Sequence, residues 1–245
     1  MGLFNRKTDD VKFDEAFERG LSFYNEDMYD EALEEFHRAK EILSKIRFVD
    51  INRRNVMYVI MGELHFIKGC QIEEGGKSFL MVDGEFVDPS QGNFMRSLEC
   101  YEEAKDEKFN LLNSGIERRV SLLHNMAKLL EKIFEEQKVS LYASHKSTRV
   151  DEAIKCLEEA VELDPTVSSL FALASMTHKH KFDFEECIKR YDEIILKDPE
   201  SDWAKHSWNN KGVIYDTMNE YEQANRCYTN AKEYDSRKKD WTEFV

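Results

Sequence analysis

The sequence predicts an all-α protein, an α-solenoid of antiparallel helix pairs with one small inserted β-hairpin. Three observations carry this. First, breakers are scarce: 245 residues contain only 10 Gly and 3 Pro, too few to punctuate an all-β fold. Second, a block of sequence returns after 34 residues, as Ala160-Val161-Glu162-Leu163-Asp164-Pro165 and then Ile194-Ile195-Leu196-Lys197-Asp198-Pro199. Third, small residues recur 12 positions apart, from one helix of a pair to the next.

The repeat has internal structure. Ala153 matches Cys187 and Leu157 matches Tyr191, again 34 apart. Each block reads small, large, small or apolar, then proline, with residues three and four apart on one helical face. Ser175 precedes Cys187 by 12 residues, Gly20 precedes Ala32, and Gly212 precedes Ala224. Each is followed by an aromatic residue and a further small or apolar one: Tyr191 and Ile194, Phe36 and Ala39, Tyr228 and Ala231. Glycine costs about 1 kcal/mol against alanine inside a helix. Its return at this position predicts close approach of the paired helix.

In this register the chain divides into an N-terminal tail (1–12), an array (13–238) and a C-terminal tail (239–245). The expected repeats are 13–46, 55–111, 120–167, 168–201 and 205–238. Two are interrupted at the turn within the pair. The second repeat has Gly62 followed by Ser97, Tyr101 and Ala104, with an insertion at 69–92. There the run Ser78–Val82, then Asp83-Gly84, then Glu85–Val87 is a hairpin signal. The third has Ala127, then Ala153, Leu157, Ala160 and Pro165, with an insertion at 139–150. We expect the first helix of that pair to lengthen through Leu129–Val139, a loop over Ser140–Thr148, and Asp151 as the next N-cap.

These residues resemble the tetratricopeptide-repeat (TPR) family: a small residue in helix A, then Ala, a large aromatic residue and Ala in helix B, then Pro at the turn. The resemblance covers about residues 13–238. It implies that A helices line a concave face and B helices cover the outside. Glu31, Glu34, Glu35, Glu99, Glu102 and Glu103 then fall on B helices, so much of the negative charge becomes a solvated convex face.

The family implies a function as well, a scaffold or adaptor that binds a segment of another protein on the concave face. By register the candidate groove residues are Phe17, Leu21, Tyr24 and Asn25 from the first repeat and Phe66 from the second. Lys128 and Lys132 follow from the third, Lys179 and His180 from the fourth, and Asn209 from the fifth. The competing reading places Phe17, Leu21 and Phe66 in the core, since large apolar side chains are usually buried. Such a surface suits an extended or helical segment with an apolar anchor and acidic residues. One TPR subfamily holds chaperone C-termini with Lys and Asn four residues apart on the first A helix. Phe17 and Leu21 stand at those positions, which argues against that type.

Other classes find less support. A net charge of −14 disfavours broad binding to nucleic acid. Arg53-Arg54, Arg118-Arg119 and Arg237-Lys238-Lys239 lie near repeat junctions, and solvated helix ends account for them. His178 and His180 are about 200° apart on a helix and cannot share a metal. No glycine-rich phosphate loop, H-E-x-x-H or G-x-S-x-G motif occurs. We therefore expect no enzyme, no catalytic or metal-binding residues and no cofactor. The five cysteines lack C-x-x-C spacing, and Cys156, Cys187 and Cys227 read as small buried residues of a reducing compartment. Met1–Lys7 has no secretory signal pattern and Val56–Met61 is too short to span a bilayer, so a cytoplasmic location without membrane is expected. The distinct alternative is a self-assembling homodimeric scaffold joined through the C-terminal repeat, where Trp241, Phe244 and Val245 follow the last helix.

Overall fold

A computed structural model describes residues 8–46, 50–75, 80–82, 85–87, 89–105, 113–137 and 146–242. The helices are α1 (Asp9–Asn25), α2 (Tyr29–Leu43), α3 (Ile51–Glu74), α4 (Pro89–Ala104), α5 (Asn113–Gln137), α6 (Lys146–Leu163), α7 (Val167–Lys181), α8 (Phe184–Lys197), α9 (Asp202–Thr217) and α10 (Tyr221–Thr242). Between α3 and α4, strand β1 (Leu80–Val82) pairs antiparallel with β2 (Glu85–Val87), Leu80 opposite Val87. The Asp83-Gly84 turn expected there lies outside the described residues. Two compact units divide the chain, Met1–Gly115 and Ile116–Val245.

In the first unit α1 packs on α2, α2 on α3 and α3 on α4. The reason lies in the small residues of the A helices. A methyl group at Gly20 would stand 2.6 Å from the Phe36 ring, and one at Gly62 would stand 2.4 Å from Tyr101. Each glycine thus seats an aromatic ring of the paired helix against its backbone. Ser97 of α4 adds a hydrogen bond, its hydroxyl donating to the Gly62 carbonyl at 2.7 Å.

The segment 69–92, read from sequence as an insertion, is helical at both its ends. Helix α3 runs on to Glu74 and α4 starts at Pro89. Gly69 faces Phe94 as Gly62 faces Tyr101, with 2.5 Å between a Cβ at Gly69 and the Phe94 ring. Gly69 follows Gly62 by seven residues and Phe94 precedes Tyr101 by seven. The antiparallel pair is therefore extended by two helical turns that repeat the same contact.

In the second unit α6 packs on α7, α7 on α8, α8 on α9 and α9 on α10. Gly212 and Tyr228 repeat the close approach, at 2.4 Å. A core of Leu170, Ala174, Cys187, Tyr191, Ile194 and Ile214 joins α7, α8 and α9. Thr166, Asp183 and Ser201 cap the N-termini of α7, α8 and α9, each side-chain oxygen accepting from a backbone N–H three residues on. Helices α6 and α8 each end two residues before a proline, Pro165 and Pro199.

Asp151 is not an N-cap. Helix α6 begins at Lys146, upstream of it. Val150, Ala153 and Ile154 are buried on one face of the helix, so its apolar face is already packed ahead of Asp151. The Asp151 carboxylate instead pairs with Lys181 of α7. Helix α5 lengthens to Gln137, while most of the expected Ser140–Thr148 loop lies outside the described residues.

Candidate functional site

In the first unit the small-against-aromatic packing fixes which side chains stay at the surface of α1 and α3. Phe17 does not. It is 4 % exposed and stacks on Phe13 at 6.0 Å and against Phe36 at 6.2 Å. It lies three residues before Gly20, on the face that meets α2, and belongs to the core. Leu21 is half-buried and Asn25, the last residue of α1, is exposed. Tyr24 reaches across to α3, its hydroxyl donating to Glu63 Oε2 at 3.1 Å. Burial and the Glu63 carboxylate push the Tyr24 phenol up to about 12. Phe66 is half-buried and leans on Phe94 with ring centroids 5.6 Å apart. Its partner exists because α3 and α4 are extended.

The second unit holds a cleft of 310 Å³ between α5 and α7. Ala127, Leu157, Phe171, Ala172 and Met176 make it apolar, and His124, Asn125, Lys128, Glu131 and Ser175 supply polar groups. Small residues open it: Ala127 and Ser175 occupy equivalent register positions on α5 and α7. His124 and Lys128 lie three before and one after Ala127, and Ala172 and Met176 stand likewise around Ser175. On α9 the same positions around Gly212 are Asn209, half-buried, and Val213, 46 % exposed. The register therefore repeats along three A helices, with Lys128 and Val213 exposed, His124, Ala172 and Asn209 half-buried, and Met176 buried. Phe171 packs against Trp203 of α9 with the rings tilted and centroids 4.9 Å apart, and approaches His206 at 6.2 Å.

The electrostatics of the cleft follow from its partners. Burial pushes the His124 imidazole down from its ordinary value, favouring the neutral form. Its Nε2 lies 3.0 Å from Ser169 Oγ. Burial of Glu131 would raise its carboxyl, but hydrogen bonds from Lys179 and His180 outweigh this and hold it low. Lys179 Nζ donates to Glu131 at 2.8 Å and also to Glu135. His180 Nε2 lies 3.0 Å from Glu131, with its ring edge-on to Phe134 at 5.3 Å. Lys179 and His180 thus tie α7 to α5. On α5, Lys128 is exposed and lines the cleft, and Lys132 is half-buried.

Of the expected groove residues, Lys128 falls in the cleft, Lys179 and His180 lie beside it, and Phe17 falls in the core. Phe171, Asn125 and Ala172 were missed. Ala172 was legible, since it repeats the register position of His124. Phe171 looks like a core residue and carries no distinguishing signal. Among the described residues no group of three or more His, Cys, Asp or Glu side chains comes together to hold a metal. Nor is any helix there long and apolar enough to cross a membrane. Cys100, Cys156, Cys187 and Cys227 are buried and Cys70 is half-buried.

Successive helix pairs in which α1, α3 and α9 each seat an aromatic residue of the paired helix against a glycine define a helical-repeat protein of the α-solenoid class. The tetratricopeptide-repeat profile matches residues 141–167 and 206–238. The chain therefore carries tetratricopeptide-type repeats at these two places. Its fold is similar to that of YrrB, whose crystal structure is described as a TPR protein with an unusual peptide-binding site. That match has 14 % identity, 94 % coverage of this chain and 88 % of YrrB, and a TM-score of 0.60. A Podosopora anserina protein of kinesin-light-chain type, with nearly identical TPR-like repeats, matches at 12 % identity, 95 % and 98 % coverage and a TM-score of 0.59. MamA from MSR-1 matches at 16 % identity, 94 % and 99 % coverage and a TM-score of 0.58.

Proposed function

We propose that this chain is a non-catalytic protein-interaction scaffold, an adaptor that holds a segment of a partner protein along its A helices. The observation that carries this is the α5–α7 cleft. Apolar and aromatic side chains make its walls, a few polar groups converge on it, and it lies between two A helices that repeat one register. Its volume, 310 Å³, is at the small end of ligand pockets. It suits one anchor side chain of an extended or helical segment. Lys128 favours an acidic residue beside that anchor. The similarity in fold to YrrB, a protein with a peptide-binding site, supports the same reading. In this reading Tyr24, Asn25, Leu21 and Phe66 belong to an equivalent stripe on α1 and α3, and the chain works in the cytoplasm.

The test is selection of a displayed random-peptide library on the full chain, followed by fluorescence anisotropy with the enriched peptides. Enriched sequences should pair an apolar or aromatic residue with Asp or Glu. Lys128→Glu or Phe171→Ala should weaken them about tenfold or more, roughly 1.4 kcal/mol. Failure to enrich any peptide, or peptides indifferent to both substitutions, would sink the proposal.

A further inference from the structure

Among the described residues, three outside glycine adopt positive φ: Asp27 at 58°, Phe182 at 56° and Asn219 at 62°. Each lies in the turn from an A helix to its B helix, five residues before Ala32, Cys187 and Ala224 respectively. The turn geometry therefore requires a left-handed residue at this position. Asn and Asp reach that region at low cost, but a bulky aromatic residue does not. Phe182 is nevertheless there. Its side chain is also 68 % exposed, meeting Phe184 edge-on at 6.3 Å. Leu196 is more exposed, at 83 %, but it sits in regular helix where single exposed apolar residues are ordinary. Among the described residues, Phe182 alone combines backbone strain with apolar exposure. Asn at 182 would relieve both, so neither folding nor solubility accounts for the phenylalanine.

The same unit carries a cavity that fits it. The α5–α7 cleft is apolar, has an aromatic wall in Phe171 and offers 310 Å³, ample for one phenylalanine side chain. The charges match too. Exposed Asp183 and Glu185 follow Phe182, Lys181 before it is paired with Asp151, and Lys128 lines the cleft. Glu131, the acidic group of the cleft, is already engaged by Lys179 and His180. We infer that Phe182 of one copy of this chain docks in the α5–α7 cleft of a second copy, so that the partner copy completes the site. This rests on the proposed role of the cleft as a docking site. Knob and socket are different surfaces, so the contact is heterologous and propagates head to tail instead of closing as a twofold dimer. Self-association and capture of another protein then compete for one cleft.

The experiment is sedimentation velocity over a concentration series, with thermal melts of each variant. Wild type should exceed the 28.9 kDa monomer mass as concentration rises. Phe182→Asn should be monomeric with a Tm equal to or above that of wild type. Ala172→Trp, which fills the cleft, should also be monomeric. Mixed one to one, these two variants should form a heterodimer and nothing larger, because one intact knob and one intact socket remain. A wild type that stays at 28.9 kDa at millimolar concentration, a Phe182→Asn chain that associates like wild type, or a mixture that stays monomeric would each overturn the inference. A monomeric wild type that still binds the selected peptides through Lys128 overturns self-docking alone. One that binds no peptide overturns the proposed function with it.

Discussion

At the scale of single residues, the glycines of the A helices are the sharpest constraint. At Gly62 an added methyl group would lie 2.4 Å from the Tyr101 ring, a distance that side-chain carbons do not tolerate. Gly62→Ala gains helix propensity yet must push that ring out of a packed core. We expect a net loss of about 1–3 kcal/mol, measured by chemical denaturation. A stability unchanged or raised would mean that the ring moves freely. His65 sets a pH dependence. It is 5 % exposed, contacts the His37 ring at 5.9 Å, and burial pushes its imidazole down to about 4. An unfolded chain binds that proton near pH 6.5. Between about 6.5 and 4 the unfolded state therefore holds more protons, and stability falls as the pH drops through that window. Thermal melts should show this loss, on the order of 2 kcal/mol at the acid end, and His65→Gln should make the slope shallower. His37, His124 and His178 are also pushed down by burial, so some slope remains.

At the scale of elements, α5 and α7 are held together at one end by the Glu131 carboxylate. Lys179 is half-exposed, and its share of this contact is modest in water. The His180 side chain is only 6 % exposed, so its hydrogen bond matters more. Glu131→Gln should lower stability by about 1 kcal/mol and speed amide exchange at the C-terminal ends of α5 and α7. Unchanged exchange in both helices would show that apolar packing alone fixes their spacing. Boundaries were harder to read than the helices themselves. Pro165 and Pro199 made the ends of α6 and α8 plain. The start of α6 was misplaced, because Asp151 has the chemistry of a cap but Val150 has an apolar face to bury. Chain chemistry proposes a cap; packing decides whether the helix has already begun.

At the scale of the whole molecule, each helix pair in a repeat array contacts only its neighbours, so stability is close to a sum of local terms. The effect of Gly62→Ala should accordingly appear first as faster hydrogen exchange in α3 and α4. Protection in α9 and α10, which pack on each other, should change far less. Uniform loss of protection along the chain would instead indicate one cooperative fold. The same local character explains why two repeats tolerate extra residues. A pair can grow in length by adding turns, as Gly69 against Phe94 shows, without altering the next contact along the array.

By itself, the sequence determined the helix pairs and their contacts. Gly20 with Phe36 and Gly212 with Tyr228 were legible because a covalent spacing and a volume constraint both leave a periodic mark. It also determined the stripe of A-helix positions from which Lys128 faces the cleft, since register alone places them. The tertiary structure decided which members of that stripe are available. Phe17 is lost to the core, and Lys179 and His180 are spent on Glu131, because burial and pairing depend on what a neighbouring helix brings within reach. It also decided that Phe182 stands exposed in a left-handed turn, since a backbone angle is set by the helices on either side of it.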